Sequence, residues 1–188
     1  MGRGARGRGR GSKPPVRAVD FDPTDIFAAL NAAKVKYLVV GGIAAIQYGV
    51  PRATFDVDLA VQLEVENLER IDRALNALGF APKVPVSIVG LADPKTRKEW
   101  TEGKHMKVFS YAELTAPFRL IDIMVRPLKR FERLYHQRRN VIVEGVKVPL
   151  VPIPALIQMK AGTGRVQDQL DIEYLHAAQQ AERKRARP

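Results

Sequence analysis

The order of apolar and polar positions divides the chain into alternating helices and strands. Asp22-Pro23 opens a helix, because proline is tolerated in a first turn whose N–H groups have no intrahelical partner. Ile26, Phe27 and Leu30 recur on one face of it, to about Ala33. Lys34 to Val40 predicts a first strand, which stops at Gly41-Gly42. Ile43 to Tyr48 predicts a short helix, ended by Gly49 and Pro51. Arg52 to Gln62 then alternates with period two, so Phe55, Val57, Leu59 and Val61 point one way and Thr54, Asp56, Asp58 and Ala60 the other. Leu68, Ile71, Leu75 and Leu78 mark a helix from Val65 to Leu78, with Gly79 at its end.

In the second half, Val84 to Leu91 is expected as a strand and Ala92 to Lys104 as a polar loop. Trp100 within that loop is expected to pack against the sheet rather than to stack on a base. His105 to Tyr111 and Phe118 to Val125 read as strands, and Leu128 to Gln137 as a helix. Glu144-Gly145, between Val141-Ile142-Val143 and Val146-Lys147-Val148, predicts a hairpin. Pro152 and Pro154 lead into a helix from Ala155 to Ala161, which Gly162 and Gly164 break, and a last helix runs from Val166 to about Ala181. This succession predicts an α/β (α+β) fold: a small mixed, twisted sheet, helices mainly on one face, and a C-terminal helical segment.

Two features of the first half carry chemistry. Paired glycines at positions 41 and 42 allow dihedrals and close approaches that a Cβ forbids. The free N–H groups of the following helix would then face an anion such as phosphate. Asp56 and Asp58 share one face of a strand and are close enough to hold one divalent cation, a hard ion that takes oxygen ligands. A phosphate cradle next to a carboxylate pair is the layout of a metal-dependent nucleotide site. Asp122 is a carboxylate within an apolar strand, which is costly unless it is paired, solvated or metal-bound. Arg119 and Arg52 are candidate partners, and an edge position facing solvent would also serve.

Gly41-Gly42 followed by Asp56-Val57-Asp58 resembles the signature of the DNA polymerase β-type nucleotidyltransferase superfamily. The form Arg52-x-Thr54-x-Asp56-x-Asp58 is similar to its small bacterial AbiEii-like branch. The resemblance implies a nucleotidyltransferase that uses Mg²⁺ or Mn²⁺ and a nucleoside triphosphate. It implies Asp56, Asp58 and Asp122 as catalytic and metal-holding residues, Asp122 on the side of the attacking hydroxyl. Gly41, Gly42, Arg52 and Thr54 would contact the nucleotide. The block Leu156 to Lys160, with Arg165, Asp168 and Asp171, is similar to the tail of AbiEii-like domains, where Lys160 would reach a triphosphate. A salt-bridge network among Lys160, Arg165, Asp168 and Asp171 is the other reading of that block, favoured for the aspartates and evenly balanced for Lys160. A toxin of a toxin–antitoxin pair, with an antitoxin partner, is a further implication of the branch.

Composition narrows the field. The 188 residues suit one domain at 18–181, between tails at 1–17 and 182–188. There is no cysteine, so disulfides and thiolate metal sites are excluded. No apolar run approaches the roughly 18 residues of a membrane span, and no secretory signal core is present, so a cytoplasmic protein without a membrane partner is expected. Net charge is +11, and the tails hold +6 and +3 of it, which leaves +2 for the middle. Residues 2–15 are Gly/Arg-rich and expected to be disordered. Such ends contact nucleic-acid phosphates without reading sequence, or simply solubilise the chain. They make an RNA acceptor somewhat more attractive. His105, His136 and His176 lack metal-ligand spacing, Ser12, Ser87 and Ser110 lack a nucleophile-elbow context, and Gly41-Gly42 lacks the lysine of a P-loop. Against an active transferase stand two alternatives: a catalytically silent module that binds a nucleotide or a partner, and a nucleic-acid-binding protein that acts through its tails.

Overall fold

A computed structural model describes residues 22–185 and centres on a seven-stranded mixed sheet. The chain runs α1 (Thr24–Ala32), β1 (Tyr37–Val39), α2 (Gly41–Gln47), β2 (Asp56–Val61), α3 (Val65–Ala77), β3 (Phe80–Pro82), α4 (Pro94–Lys98), β4 (Val108–Glu113), β5 (Leu120–Met124), α5 (Phe131–His136), β6 (Arg139–Val143), β7 (Val146–Leu150), α6 (Ile153–Ala161) and α7 (Val166–Arg185). The strand order is β3-β4-β5-β2-β1-β7-β6, with β2–β5 and β1–β7 parallel and the other pairs antiparallel. This is the mixed α/β architecture expected from the sequence. The Gly/Arg-rich segment and the rest of tail 1–17 lie outside the described residues. Among those described, no helix is long and apolar enough to cross a membrane.

The two faces of the sheet have different fates. Val57, Ile121 and Tyr111 are register partners on β2, β5 and β4, so they share a face. Tyr111 donates its hydroxyl hydrogen to Asp72 of α3 at 2.7 Å, and Tyr37 stacks on Phe27 of α1, so α1 and α3 cover that face. All of these apolar side chains are fully buried. Period-two alternation puts Asp58, Asp122 and Ser110, also register partners, on the opposite face, where they stay half-exposed.

Several boundaries shift for local reasons. Lys34 adopts a left-handed backbone (φ 55°) and Val35 N–H returns to Leu30, so the first strand begins only at Tyr37. The helix after it starts at Gly41 itself. Regular pairing of β2 starts at Asp56, and Phe55, which alternation sets on the side of the buried Val57, is 67% exposed. The final helix continues to Arg185, past the expected end at Ala181.

The largest departure is Val84 to Leu91. It forms no strand: Ile88–Ala92 is a 3₁₀ turn, with Ile88 and Leu91 buried and the turn packed on α3. Pro85 lacks the N–H that a ladder needs, and the Ser87 hydroxyl accepts from Val89 N–H, which starts the turn. The expected loop at 92–104 is also largely helical. The Asp93 carboxylate caps α4 by accepting from Thr96 N–H at 2.7 Å, and a π-helical turn, Glu99–Gly103, follows. Trp100 is buried and stacks on Phe109, so it packs against the sheet. The hairpin forms as expected, its turn residues Glu144 and Gly145 both at positive φ.

Candidate metal centre

Asp56 and Asp58 leave β2 on the same face, and Asp122 stands level with Asp58 on the neighbouring parallel strand β5. Each of the three offers a carboxylate oxygen within 4.8 Å of the others. Among the described residues, none of the three forms an ion pair. Like charges this close repel. Burial, with the Asp56 and Asp122 charges adding to it, pushes the Asp58 carboxyl up to about 6, against the opposing pull of the Gly42 N–H and the Lys160 charge.

Neighbouring groups aim each acid. Thr54 Oγ1 donates to Asp56 Oδ1 at 2.6 Å, and Ser110 Oγ donates to Asp122 Oδ1 at 2.6 Å. The two glycines make room for this arrangement. A Cβ on Gly41, where φ is +61°, would lie 1.8 Å from Asp58 Oδ2. A Cβ on Gly42 would lie 2.3 Å from Thr54 Oγ1. So Gly41, Gly42, Thr54, Asp56, Asp58 and Asp122 converge on one spot at the N-terminus of α2. A divalent ion with oxygen ligands at about 2.1 Å sets neighbouring ligands roughly 3 Å apart. Three hard carboxylate oxygens, in no ion pair among the described residues, fit such an ion.

Arg52 and Lys160 are drawn elsewhere. Lys160 is buried, and its ammonium donates to Asp168 Oδ1 at 2.8 Å and to Asp171 Oδ2 at 2.6 Å. Arg52 donates to Asp171 Oδ2 at 2.8 Å, while Arg165 and Thr163 donate to Asp168 at 2.6 and 2.7 Å. Burial alone would raise both aspartates. The hydrogen bonds from Lys160, Thr163 and Arg165 outweigh it for Asp168, which falls to about 2. Bonds from Lys160, Gln167 and Arg52 likewise bring Asp171 below its usual range. The salt-bridge network read from the sequence is therefore present, and it extends to Arg52, in the loop that leads into β2.

The roles of Ser110 and Thr163, and the pairing of Arg52 with Asp171, escaped the sequence reading. Ser110 has a usable signal, since it alternates with the apolar Phe109 and Tyr111 and so must face the acids. The bond between Arg52 and Asp171 spans 119 positions and has no local signature.

No protein-family model matches the sequence, and no curated protein matches it. Solved structures do match. The lincosamide antibiotic adenylyltransferase LnuA, lincomycin-bound, aligns over 81% of this chain and 93% of its own at 14% identity, with a TM-score of 0.54. ANT(2″)-Ia in complex with adenylyl-2″-tobramycin aligns over 85% and 88% at 13% identity and the same TM-score. An antigenic nucleotidyltransferase-like protein from Paracoccidioides brasiliensis aligns over 82% and 72% at 16% identity, with a TM-score of 0.51. The chain has the nucleotidyltransferase fold. Within that fold, the three half-buried acids converge on one face of the sheet.

Proposed function

We propose that the protein is a metal-dependent nucleotidyltransferase. It moves a nucleoside monophosphate from a nucleoside triphosphate to a hydroxyl of RNA, protein or a small molecule. The observation that carries this reading is the set of three carboxylates in strand register, oriented by hydroxyl and N–H donors and in no ion pair among the described residues, in a nucleotidyltransferase fold.

Asp56, Asp58 and Asp122 would hold Mg²⁺ or Mn²⁺. Bound there, such ions polarise the phosphate and lower the pKa of the attacking hydroxyl. The chain's own residues do the rest. The N–H groups at the start of α2 that are not taken by Asp58 would hold the triphosphate in line, while the Thr54 hydroxyl keeps Asp56 aimed. Asp122, on the outer side of the trio, orients the acceptor hydroxyl and takes up its proton. Lys160 offsets the charge at Asp58, and through Asp171 it fixes the Arg52 loop, so both basic residues act as positioning groups. The AbiEii-like motif, Arg52 to Asp58, supports a place in that branch and with it a toxin role. The antibiotic-modifying neighbours support a small-molecule acceptor and an adenylyl donor.

Transfer of label tests the reading. The protein is incubated with each α-labelled nucleoside triphosphate, Mg²⁺ or Mn²⁺, and cellular RNA, protein and small molecules. Label should enter one acceptor class and be absent with Asp56→Ala/Asp58→Ala. Nucleotide binding without transfer would instead establish a silent binding module.

A further inference from the structure

A cleft of about 580 Å³ opens at the end of β5, beyond Asp122. Met124 lines it, two residues beyond Asp122 on the same face of β5 and hence about 7 Å along the strand. The segment 127–137 and α6 close its sides. Its floor is apolar, with Leu128 and Met159 beside Met124. Its rim carries Lys129, Arg130 and Arg133, all exposed. None of its described lining residues is acidic. Glu132, the acid on α5, turns away to accept from Gln62 at 2.9 Å and to lie near Lys36. Among the described residues, none of the three rim cations forms an ion pair.

We propose that this cleft is the acceptor site and that the acceptor is the end of a single-stranded nucleic acid. The proposal rests on the transferase reading above. Three unpaired cations along one short segment match a chain of phosphates better than a lone phosphate, and they repel a cationic small molecule. An apolar floor takes the flat face of a base, as strand-binding grooves do. The middle of the chain carries only +2, so this is a local concentration of charge rather than a share of a basic surface. With the last nucleotide in the cleft, its terminal hydroxyl reaches Asp122. The hydroxyl oxygen bonds to the α-phosphorus of the nucleoside triphosphate, the bond from that phosphorus to the bridging oxygen breaks, the hydroxyl proton passes to Asp122, and pyrophosphate leaves.

The test uses the full chain and two probes, a 5′-fluorescein single-stranded 12-mer of RNA and its DNA counterpart. Binding is read by anisotropy without nucleotide, and binding of a fluorescent nucleoside triphosphate is read separately. Arg130→Glu/Arg133→Glu should weaken binding of at least one 12-mer tenfold or more and leave nucleotide binding within twofold. The milder Arg133→Gln should lower the slope of log K against log salt by about 0.7, the share of one single-strand phosphate contact. A loss below twofold overturns the proposal. So does a parallel loss of nucleotide binding, which would make the cleft the nucleotide's own site, or 12-mer binding that disappears only when residues 1–17 are deleted. If the wild type binds the 12-mer through the cleft but no nucleoside triphosphate, the transferase reading fails and the strand-binding site stands.

Discussion

Removing the Asp58 charge should stabilise this protein. Asp58 is held at about 6, against an ordinary 3.8, by burial and by the neighbouring carboxylates. The folded state therefore keeps a proton, between about pH 4 and pH 6, that the unfolded chain has already lost. Stability is greatest below the unfolded value, falls as pH rises through the folded value, and the full cost is present above it. Two units correspond to about 3 kcal/mol at most. In Asp58→Asn the amide carbonyl can still accept from Gly42 N–H, and the charge is gone. Urea unfolding in chelator at pH 7.5 should show the variant more stable by about 1–3 kcal/mol, or very roughly 3–10 °C in Tm. The difference should shrink as pH falls and vanish below the unfolded value of 3.8, where the group is uncharged in both states of both chains. Taking the difference between the two chains cancels the titration of groups remote from this site, and leaves Asp58 with its coupling to Asp56 and Asp122. Millimolar Mg²⁺ should stabilise the wild type and not the variant, by mass action on the folded state. A variant less stable than wild type at pH 7.5 in chelator, or a gap that does not change with pH, refutes the reasoning.

Three further outcomes are expected. Lys160→Met leaves Asp168 and Asp171 buried without their shared cation, and urea unfolding should show a loss of about 3–5 kcal/mol; a loss under 1 kcal/mol would mean that Arg52 and Arg165 suffice. Gly41→Ala forces a Cβ into Asp58 and strains a left-handed backbone. The variant should keep its circular dichroism spectrum, lose the Mg²⁺-induced rise in Tm, and transfer label about 10²-fold more slowly. Ser110→Ala removes one hydrogen bond to Asp122. Turnover should fall about tenfold, the equivalent of one hydrogen bond to a charged group, with nucleotide affinity unchanged.

What the sequence made legible were the features that repeat over short distances. Period two put Asp56 and Asp58 on one face, and the apolar run around Asp122 gave a strand whose pairing with β2 brings the third acid level. The glycine pair was legible as a close approach, although its first visitors are the side chains of Asp58 and Thr54. Val84 to Leu91 misled because apolar alternation alone does not distinguish a strand from a buried irregular segment. Pro85 and the capping pair Asp93-Pro94 were the contrary signals. Phe55 misled for another reason: alternation assigns a face only where pairing has begun, and that is one residue later. The tie between Arg52 and Asp171 depends on how the last helices fold back, which no local pattern encodes. The basic cleft depends likewise on α6 closing over segment 127–137.

The Arg52–Asp171–Lys160 tie has a consequence for building chimeras. The C-terminal helices look like a detachable module, joined to the sheet by the short stretch after β7. Yet Asp171 of α7 accepts from a residue just ahead of β2, and Lys160 of α6 touches the same carboxylate. Grafting helices from a relative onto this core would succeed only if positions 52, 160, 168 and 171 travel together. Exchanged singly, each would leave a buried charge facing a stranger.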